Sequence, residues 1–431
     1  MPRLKTNYDA LVIGAGIAGM QCSLDLASQG FSVLLVEKQP SIGGIMVGLN
    51  KVFPTLDCSS CICTPRMAET AHNPNITIQT YTEVRKVEKV GRSFVVRLLK
   101  KPRYVNEDTC IGCSECERAC PVDVPHEFDY GFGARRAVYI AGANAIPMIA
   151  TLDIDNCIFC GKCAQRCPTE AMDFTQQPEE VAVTTGAVVV ASGLGLTPMN
   201  IKPEYGDGKM VNVINPLAME RLQASDSPFG HVLRPSDGKI PKSIAYIKCA
   251  GSRDKSIGIP YCSRVCCMYS MKQAILMKQK DPEVEITLYH MDIRAFGKGY
   301  EQFYRRALKE GINIIKAKVA KITEDNDHNP IVRVEFLDEG GRVAEVKHDL
   351  IVLASGIVPG WRAGDSIPSE QETDGFFRTP FAKISPTLST TEGIFLAGVA
   401  TGPKDIPDAI VEAGAAAMEA ANYLVKAMAH V

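Results

Sequence analysis

The sequence has no long apolar run. None of its 431 residues lies in a stretch that approaches the ~20 apolar positions a membrane helix needs. The first residues, MPRLKTNYDALVIGAG, hold no apolar signal core and pass directly into a strand. The expectation is a cytoplasmic chain; if it works at a membrane, a partner must hold it there. An excess of one charge is missing too. Lys and Arg number 47 against 49 Asp and Glu, a net charge of -2, which argues against a dedicated nucleic-acid or anionic-membrane surface. The seven His show no paired ligand spacing, and Trp361 is isolated. No Ser/His/Asp hydrolase constellation can be placed, so no general acid, base or other catalytic side chain is assigned. What is abundant is cysteine, sixteen in all. In a reducing compartment such cysteines bind metal or do redox work more often than they form structural disulfides. They cluster at 58–63, 110–120, 157–167 and 249–267; Cys22 alone stands apart, as a small core residue.

The segment YDALVIGAGIAGMQCSLDLASQGFSVLLVEK reads as a β-α-β unit. Ala10 to Ile13 form a buried strand, and Gly14, Gly16 and Gly19 make G-x-G-x-x-G at the turn into a helix. Gly14 permits the tight turn, Gly16 lets a pyrophosphate approach the backbone, and Gly19 lets helix and strand pack closely. A second strand, Ser32 to Val36, ends at Glu37, whose carboxylate is spaced to accept hydrogen bonds from a ribose hydroxyl. Beyond Glu37 and Lys38, Gly43 and Gly44 resemble the second glycine turn of flavoproteins with two dinucleotide domains. AVVVASG (187–193, ending in Ser192 and Gly193) and LIVLASG (350–356) resemble the paired crossing strands of that fold. The late segment with a strand at Gly393 to Ala397, a turn at Gly398 and a small-residue helix resembles the element that closes over the flavin there. Val399 departs from that pattern where an Asp is usual, leaving Asp405 or the backbone near Ile406 to take its place. Val84 is expected to present backbone to the adenine. FAD is the ligand these segments imply.

Two runs, CIGCSECERACP and CIFCGKCAQRCP, are both C-x2-C-x2-C-x3-C-P. In this two-cluster ferredoxin pattern the fourth Cys of each run ligates the other cluster. One [4Fe–4S] cluster is therefore assigned to Cys110, Cys113, Cys116 and Cys167, the other to Cys157, Cys160, Cys163 and Cys120. A zinc ribbon would instead show two spaced C-x2-C pairs. Sheet-like sequence before and after the runs makes the module an insertion into the FAD domain. The expected organisation is FAD domain at 1–104, 175–240 and 346–431, ferredoxin module at 105–174, and a second dinucleotide domain at 241–345. The fold class is α/β, a two-dinucleotide-domain flavoprotein of the thioredoxin/glutathione reductase-like Rossmann type with an inserted two-cluster module.

The second domain opens with a strand at Ile244 to Lys248, but its first turn is CAGSRD rather than a glycine fingerprint. NAD(P)H binding is accordingly doubted there. Cys249, Cys262, Cys266 and Cys267 fit a third cluster, a redox dithiol or cofactor-free thiols. Cys58, Cys61 and Cys63 fit a redox disulfide, an interface or cluster ligands.

The combination of GAGIAG, IGGIMVGLNKVFPTLDCSSC, the double run and CAGSRDKSIGIPYCSRVCC resembles the flavin subunit of heterodisulfide reductase and its relatives over nearly the whole chain. The short form is most similar to the branch found in the quinone-interacting membrane-bound oxidoreductase of sulfate reducers. That resemblance implies an oxidoreductase subunit carrying FAD and iron–sulfur clusters. The partners it implies are a membrane haem/quinone subunit together with a second flavin/iron–sulfur subunit. It also implies electron exchange between menaquinone and adenylylsulfate reductase. The competing expectations are a soluble NAD(P)H-dependent flavin reductase, a methanogen-type bifurcating subunit, and an electron-wire or assembly subunit whose flavin is structural.

Overall fold

Strand β1 (Asn7–Ile13) and strand β2 (Val33–Val36) pair in parallel, joined by helix α1 (Ile17–Ser28). In the computed structural model, which describes residues 4–428, the VLLV of β2 is buried throughout, as a strand covered on both faces requires. Helix α2 (Ser59–His72) leads to β3 (Ile76–Gln79) beside β2. Strands β4 (Thr82–Val90) and β5 (Ser93–Lys100) form an antiparallel hairpin turned at Gly91, φ +63°.

The chain then leaves the sheet for the cysteine-rich module. Helix α3 (Glu115–Ala119) and helix α4 (Lys162–Arg166) each carry the third Cys of a run. Two small antiparallel pairs lie between them, β6 (Asp123–Pro125) with β7 (Ala134–Arg136), and β8 (Val138–Tyr139) with β9 (Thr151–Leu152). The strand expected in RRAVYIAG is thus split at Ala137, which donates to the Val122 carbonyl and accepts from the Asp153 amide. The chain returns in β10 (Glu179–Val190), and Glu179 pairs with Lys100 of β5. The module therefore hangs between two adjacent antiparallel strands, and its insertion leaves the sheet order β3-β2-β1-β10-β5-β4 intact.

After β10 the chain crosses in β11 (Leu194–Leu196) to a second sheet. Along the chain this second unit comprises β12 (Val213–Ile214), α5 (Pro216–Gln223), β13 (Ser243–Ala250), α6 (Cys266–Lys280), β14 (Glu285–His290), α7 (Tyr300–Lys309), β15 (Asn313–Glu324), β16 (Pro330–Phe336), β17 (Arg342–Lys347) and β18 (Leu350–Ser355). Its strand order is β12-β18-β13-β14-β15-β16-β17. The expected bounds 241–345 differ from this sheet at both ends. The fully buried β18 lies between β13 and β12, where it covers edges that would otherwise be unpaired. The return crossing, β19 (Ile357–Pro359), pairs antiparallel with β11. Finally β20 (Ile394–Leu396) joins β10, and helix α8 (Ile406–Met428) packs on α1. Ala413, Ala416, Ala417 and Ala420 are fully buried in that contact, small enough to bring the helix close to the sheet.

Candidate functional site

At the end of β1, Gly14 takes φ +97°, and a Cβ there would lie 2.4 Å from the Ala191 carbonyl oxygen. A Cβ on Gly19 would lie 1.8 Å from the Gly14 oxygen. Both positions are glycine because the turn is closed against β10 and against itself. Gly16 differs: nothing stands within 4 Å of its would-be Cβ. That open face lies at the N-cap of α1, where no side chain caps the helix amides. Such a terminus, with free N–H groups and positive dipole, suits a pyrophosphate.

Glu37 anchors the turn. Its Oε2 accepts from the Ala15 amide (2.8 Å) and its Oε1 from the Gln39 amide (2.9 Å). Each oxygen retains a lone pair that a ribose hydroxyl can reach. The adjacent Lys38 is exposed. The second glycine turn meets the first: Gly43 N donates to Ala15 O (2.8 Å), and a Cβ on Gly44 would lie 2.9 Å from Gly16 Cα. Thr82 N donates to Glu37 O (2.9 Å), which places Val84 two residues beyond the contact with the carboxylate's own strand. Val84 is the last paired residue before a bulge at Arg85.

Ser192 Oγ is buried and has no hydrogen-bond partner, and Gly193 (φ +68°) faces open space. A buried orphan hydroxyl beside an open backbone fits a bound polar group. Gly398 (φ +61°) packs on Ala18, with a would-be Cβ 2.9 Å from that methyl. Lys404, which has no sequence signature, holds this last turn. Its Nζ donates to Gly398 O (3.0 Å) and Thr401 Oγ1 (2.5 Å) and pairs with Glu412 at 3.3 Å. Burial pulls the Lys404 ammonium below its ordinary range. Val399 is buried, and Asp405 is engaged with Tyr300 OH (2.5 Å) and the Asp408 amide (2.9 Å).

In the inserted module the eight run cysteines sort into two cavities. Cys110, Cys113, Cys116 and Cys167 line one of about 330 Å³, with Val105, Ile140 and Ala171 as part of its apolar wall. Cys120, Cys157, Cys160 and Cys163 line another of about 310 Å³, walled by Val138, Leu152 and Phe174. The fourth Cys of each run lines the other run's cavity. Among the described residues no three of His, Cys, Asp and Glu close around a single metal ion. Thiolates placed around a larger four-iron core are necessarily spread further apart. The donor set, four soft sulfurs in an apolar pocket, fits iron–sulfur chemistry.

Arg103 ties the module to the flavin sheet and was not legible as a functional residue. It is almost fully buried and donates to Thr151 Oγ1 (2.7 Å), Pro40 O (2.9 Å) and Thr80 Oγ1 (2.6 Å). A lone Arg between Pro and Tyr carries no pattern; only its three partners, from three segments, reveal it.

Of the remaining cysteines, Cys58 is the N-cap of α2, and its Sγ accepts from the Cys61 amide (3.2 Å). A hydrogen bond from the Cys61 thiol lowers the Cys58 thiol and raises Cys61, and burial pushes Cys63 up to about 11. In the second domain, Cys249, Cys266 and Cys267 interact with one another and with Lys248. The hydrogen bond from Cys266, aided by the Lys248 charge, pulls the Cys267 thiol below its ordinary range. Cys262 stands on the preceding loop, accepting from the Arg264 amide (3.3 Å). The turn after β13 is no phosphate cradle. Residues 251–265 separate the strand from α6, and Gly251 is covered by Thr197, whose Oγ1 donates to its carbonyl (2.9 Å).

Comparison with known proteins agrees with this geometry. The 4Fe-4S dicluster domain family matches residues 109–172, and the NAD(P)-binding Rossmann-like domain family matches 12–48. The chain is 47% identical over 429 residues to the A-subunit of the H(2):CoB-CoM heterodisulfide,ferredoxin reductase of Methanothermobacter thermautotrophicus, covering 98% of this chain and 65% of that protein. It is 49% identical to an iron-sulfur A-subunit of the CoB--CoM heterodisulfide reductase of Methanopyrus kandleri, covering 96% and 64%. Over nearly its whole length the chain is similar to A-subunits of heterodisulfide reductases. It spans about 65% of the length of the first of these relatives. Among solved structures, the thioredoxin reductases of T. acidophilum (TM-score 0.55, 14% identity, 98% of this chain and 100% of that one) and Lactococcus lactis (0.54, 16%, 97% and 99%) share the fold. FAD and [4Fe–4S] clusters are thus the cofactors of this chain. No helix among the described residues is long and apolar enough to cross a membrane.

Proposed function

We propose that this chain is an oxidoreductase subunit that moves electrons between FAD and a partner through its two iron–sulfur clusters, within a larger membrane-associated complex. Bound FAD supplies two-electron chemistry and the clusters supply single-electron steps. The observation that carries the reading is the sorting of eight cysteines into two cavities in a module anchored on adjacent flavin-sheet strands. Gly14, Gly16, Gly19, Glu37, Lys38, Gly43, Gly44, Val84, Ser192, Gly193 and Gly398 are the residues we assign to FAD. The eight run cysteines are those we assign to the clusters. The surrounding residues hold these groups in register: Glu37 fixes the first turn, Lys404 the last, and Arg103 the neck of the module.

The finer reading rests on the sequence resemblance. It places the chain between the menaquinone pool and a cytoplasmic acceptor, adenylylsulfate reductase, in sulfate respiration. Two partners, a membrane haem/quinone subunit together with a second flavin/iron–sulfur subunit, would hold it at the membrane. A heterodisulfide reductase role, with flavin-based bifurcation, is the second reading, favoured by the names of the relatives that match at 47% and 49% identity. Direct NAD(P)H oxidation is disfavoured by the covered turn at Gly251. The test is anaerobic. NADH, NADPH and a reduced menaquinone analogue are added in turn to the purified complex while flavin bleaching is followed. Bleaching by quinol alone supports the finer reading; fast bleaching by NADH or NADPH of the isolated chain overturns it.

A further inference from the structure

Two of the surplus cysteines are placed for chemistry that neither the flavin cradle nor the cluster cavities use. Cys58 and Cys61 stand at the start of α2, the 14-residue helix that follows the second glycine turn. Cys58 is its N-cap, in extended backbone at φ -64° and ψ 123°. Its side chain folds back over the first helical turn, where Sγ accepts from the Cys61 amide (3.2 Å). The Cys61 thiol donates to the same sulfur. A disulfide needs two side chains directed at one another at short range, and these two sulfurs already meet. Cys58 is half-buried and Cys61 exposed, so solvent reaches both.

The two thiols are not alike. The Cys61 thiol, the Cys61 amide and the charge of Lys51 all favour the Cys58 thiolate, and the same hydrogen bond holds the proton on Cys61. Lys51 lies across a β bridge from Cys58, and the neighbouring carboxylate, Asp57, is exposed. A cysteine at a helix N-terminus with a second thiol three residues on is the arrangement that activates the first sulfur. The third cysteine of the segment takes no part. Cys63 is fully buried, its Sγ turned inward to donate to Gly43 O (3.8 Å), and burial raises its thiol. What remains at the surface is a pair. Ser59, between its members, donates from Oγ to Met46 O (2.7 Å) and from its amide to Asn50 O (3.2 Å). The pair is thus joined to the loop after the second glycine turn.

We propose that Cys58 and Cys61 form a reversible oxidation site that exchanges with the disulfides of low-molecular-weight thiols, Cys58 attacking and Cys61 resolving. The Cys58 thiolate attacks one sulfur of the incoming disulfide; a mixed disulfide forms on Cys58 and the first small thiolate leaves. Cys61 then loses its proton to water and attacks the Cys58 sulfur. The protein disulfide closes as the second small thiolate leaves. Two protein thiols are oxidised, one small disulfide is reduced, and the leaving thiolates take up protons from water. Excess small thiol reverses both steps. The site goes beyond the electron relay proposed above and needs neither the clusters nor the flavin.

The test treats the purified chain, loaded with FAD and clusters, anaerobically with glutathione disulfide. Samples taken over time are quenched with N-ethylmaleimide, and the peptide spanning 52–66 is mapped by mass spectrometry. The wild type gives a Cys58–Cys61 disulfide with Cys63 still alkylated, and dithiothreitol restores both thiols. Cys61→Ser stops at one glutathione on Cys58, formed within about threefold of the wild-type rate. Cys58→Ser, which keeps an oxygen to cap α2, slows the reaction of the segment by about tenfold or more. The wild-type map decides on its own if a variant fails to take up its cofactors. Wild-type Cys58 and Cys61 that stay free under glutathione disulfide overturn the proposal. So does a pair that reacts only after iron is chelated, or Cys58→Ser reacting as fast as wild type.

Discussion

Lys272 Nζ lies 2.6 Å from the main-chain oxygen of Lys51, so a helix of the second domain reaches directly into the loop after the second glycine turn. The same ammonium pairs with Glu220 at 2.6 Å, and both side chains are about 3% exposed. Glu220 also accepts from the Asn50 amide (3.1 Å) and from Gln273. One buried charge pair therefore joins α5, α6 and the flavin loop. Lys272→Met leaves a buried carboxylate without its cation and is expected to cost about 3–5 kcal/mol, whereas Lys272→Met with Glu220→Leu costs much less. Urea unfolding of the three proteins checks this.

Gly16→Ala and Gly19→Ala separate flavin binding from folding. Alanine at 16 meets no protein atom within 4 Å, so the fold is retained while the approach of a pyrophosphate is blocked. Alanine at 19 collides with the Gly14 carbonyl and disrupts the turn itself. The expected outcome is a folded, flavin-poor Gly16→Ala protein and a destabilised Gly19→Ala protein. Flavin stoichiometry and thermal midpoints measure both.

The crossing of the two runs predicts which cysteine variants behave alike. Cys120→Ser shares a cavity with Cys160→Ser, and Cys167→Ser with Cys113→Ser. EPR of the reduced proteins should show one and the same signal lost within each pair and the other signal lost in the other pair. Grouping by run, with Cys120 behaving like Cys113, would contradict the crossing.

His348 gives the second domain an acid sensitivity. It is buried, its ring nitrogens at 2.8 Å from Ser243 Oγ and 3.1 Å from Tyr289 OH, and desolvation pulls it down to about 4 against the partial opposition of Asp349. The unfolded chain takes up this proton near pH 6.5, the folded chain only near 4. The stabilisation is complete above about pH 6.5 and is lost as pH falls toward 4. Between pH 7.5 and 5.5 the loss is on the order of 1 kcal/mol. Denaturation midpoints should show this pH dependence in wild type and its reduction in His348→Gln.

The dicluster module and the first glycine turn were legible because each is a local pattern whose spacing is the geometry. Four Cys at these intervals, closed by Pro, suit a cluster better than a zinc ribbon, and three glycines at a strand–helix turn make room for a close approach. The division of the second sheet was not legible. Its edge strand β12 is two residues long, and β18 comes from beyond the expected boundary at 345. Pairing between segments so far apart in sequence is decided by which edges need covering. The surplus cysteines show the same limit: Cys249, Cys266 and Cys267 gather near Lys248 while Cys262 stays on its loop, and no spacing rule separates them.

By itself the sequence determined the glycine turn at Gly14–Gly19, the acid that follows it at Glu37, and the spacing of the two cysteine runs. These depend on backbone geometry within a few residues or on a repeated unit. Tertiary structure alone decided the register in which the inserted module leaves and re-enters the flavin sheet, Lys100 against Glu179, and that Arg103 is its staple. It also decided that Gly112 lies under Met148 while Phe159 faces solvent. The physical reason is that burial and exposure arise from contacts between distant segments. Two runs of nearly the same sequence acquire different surroundings once the fold sets one against the flavin turn and leaves the other at the surface.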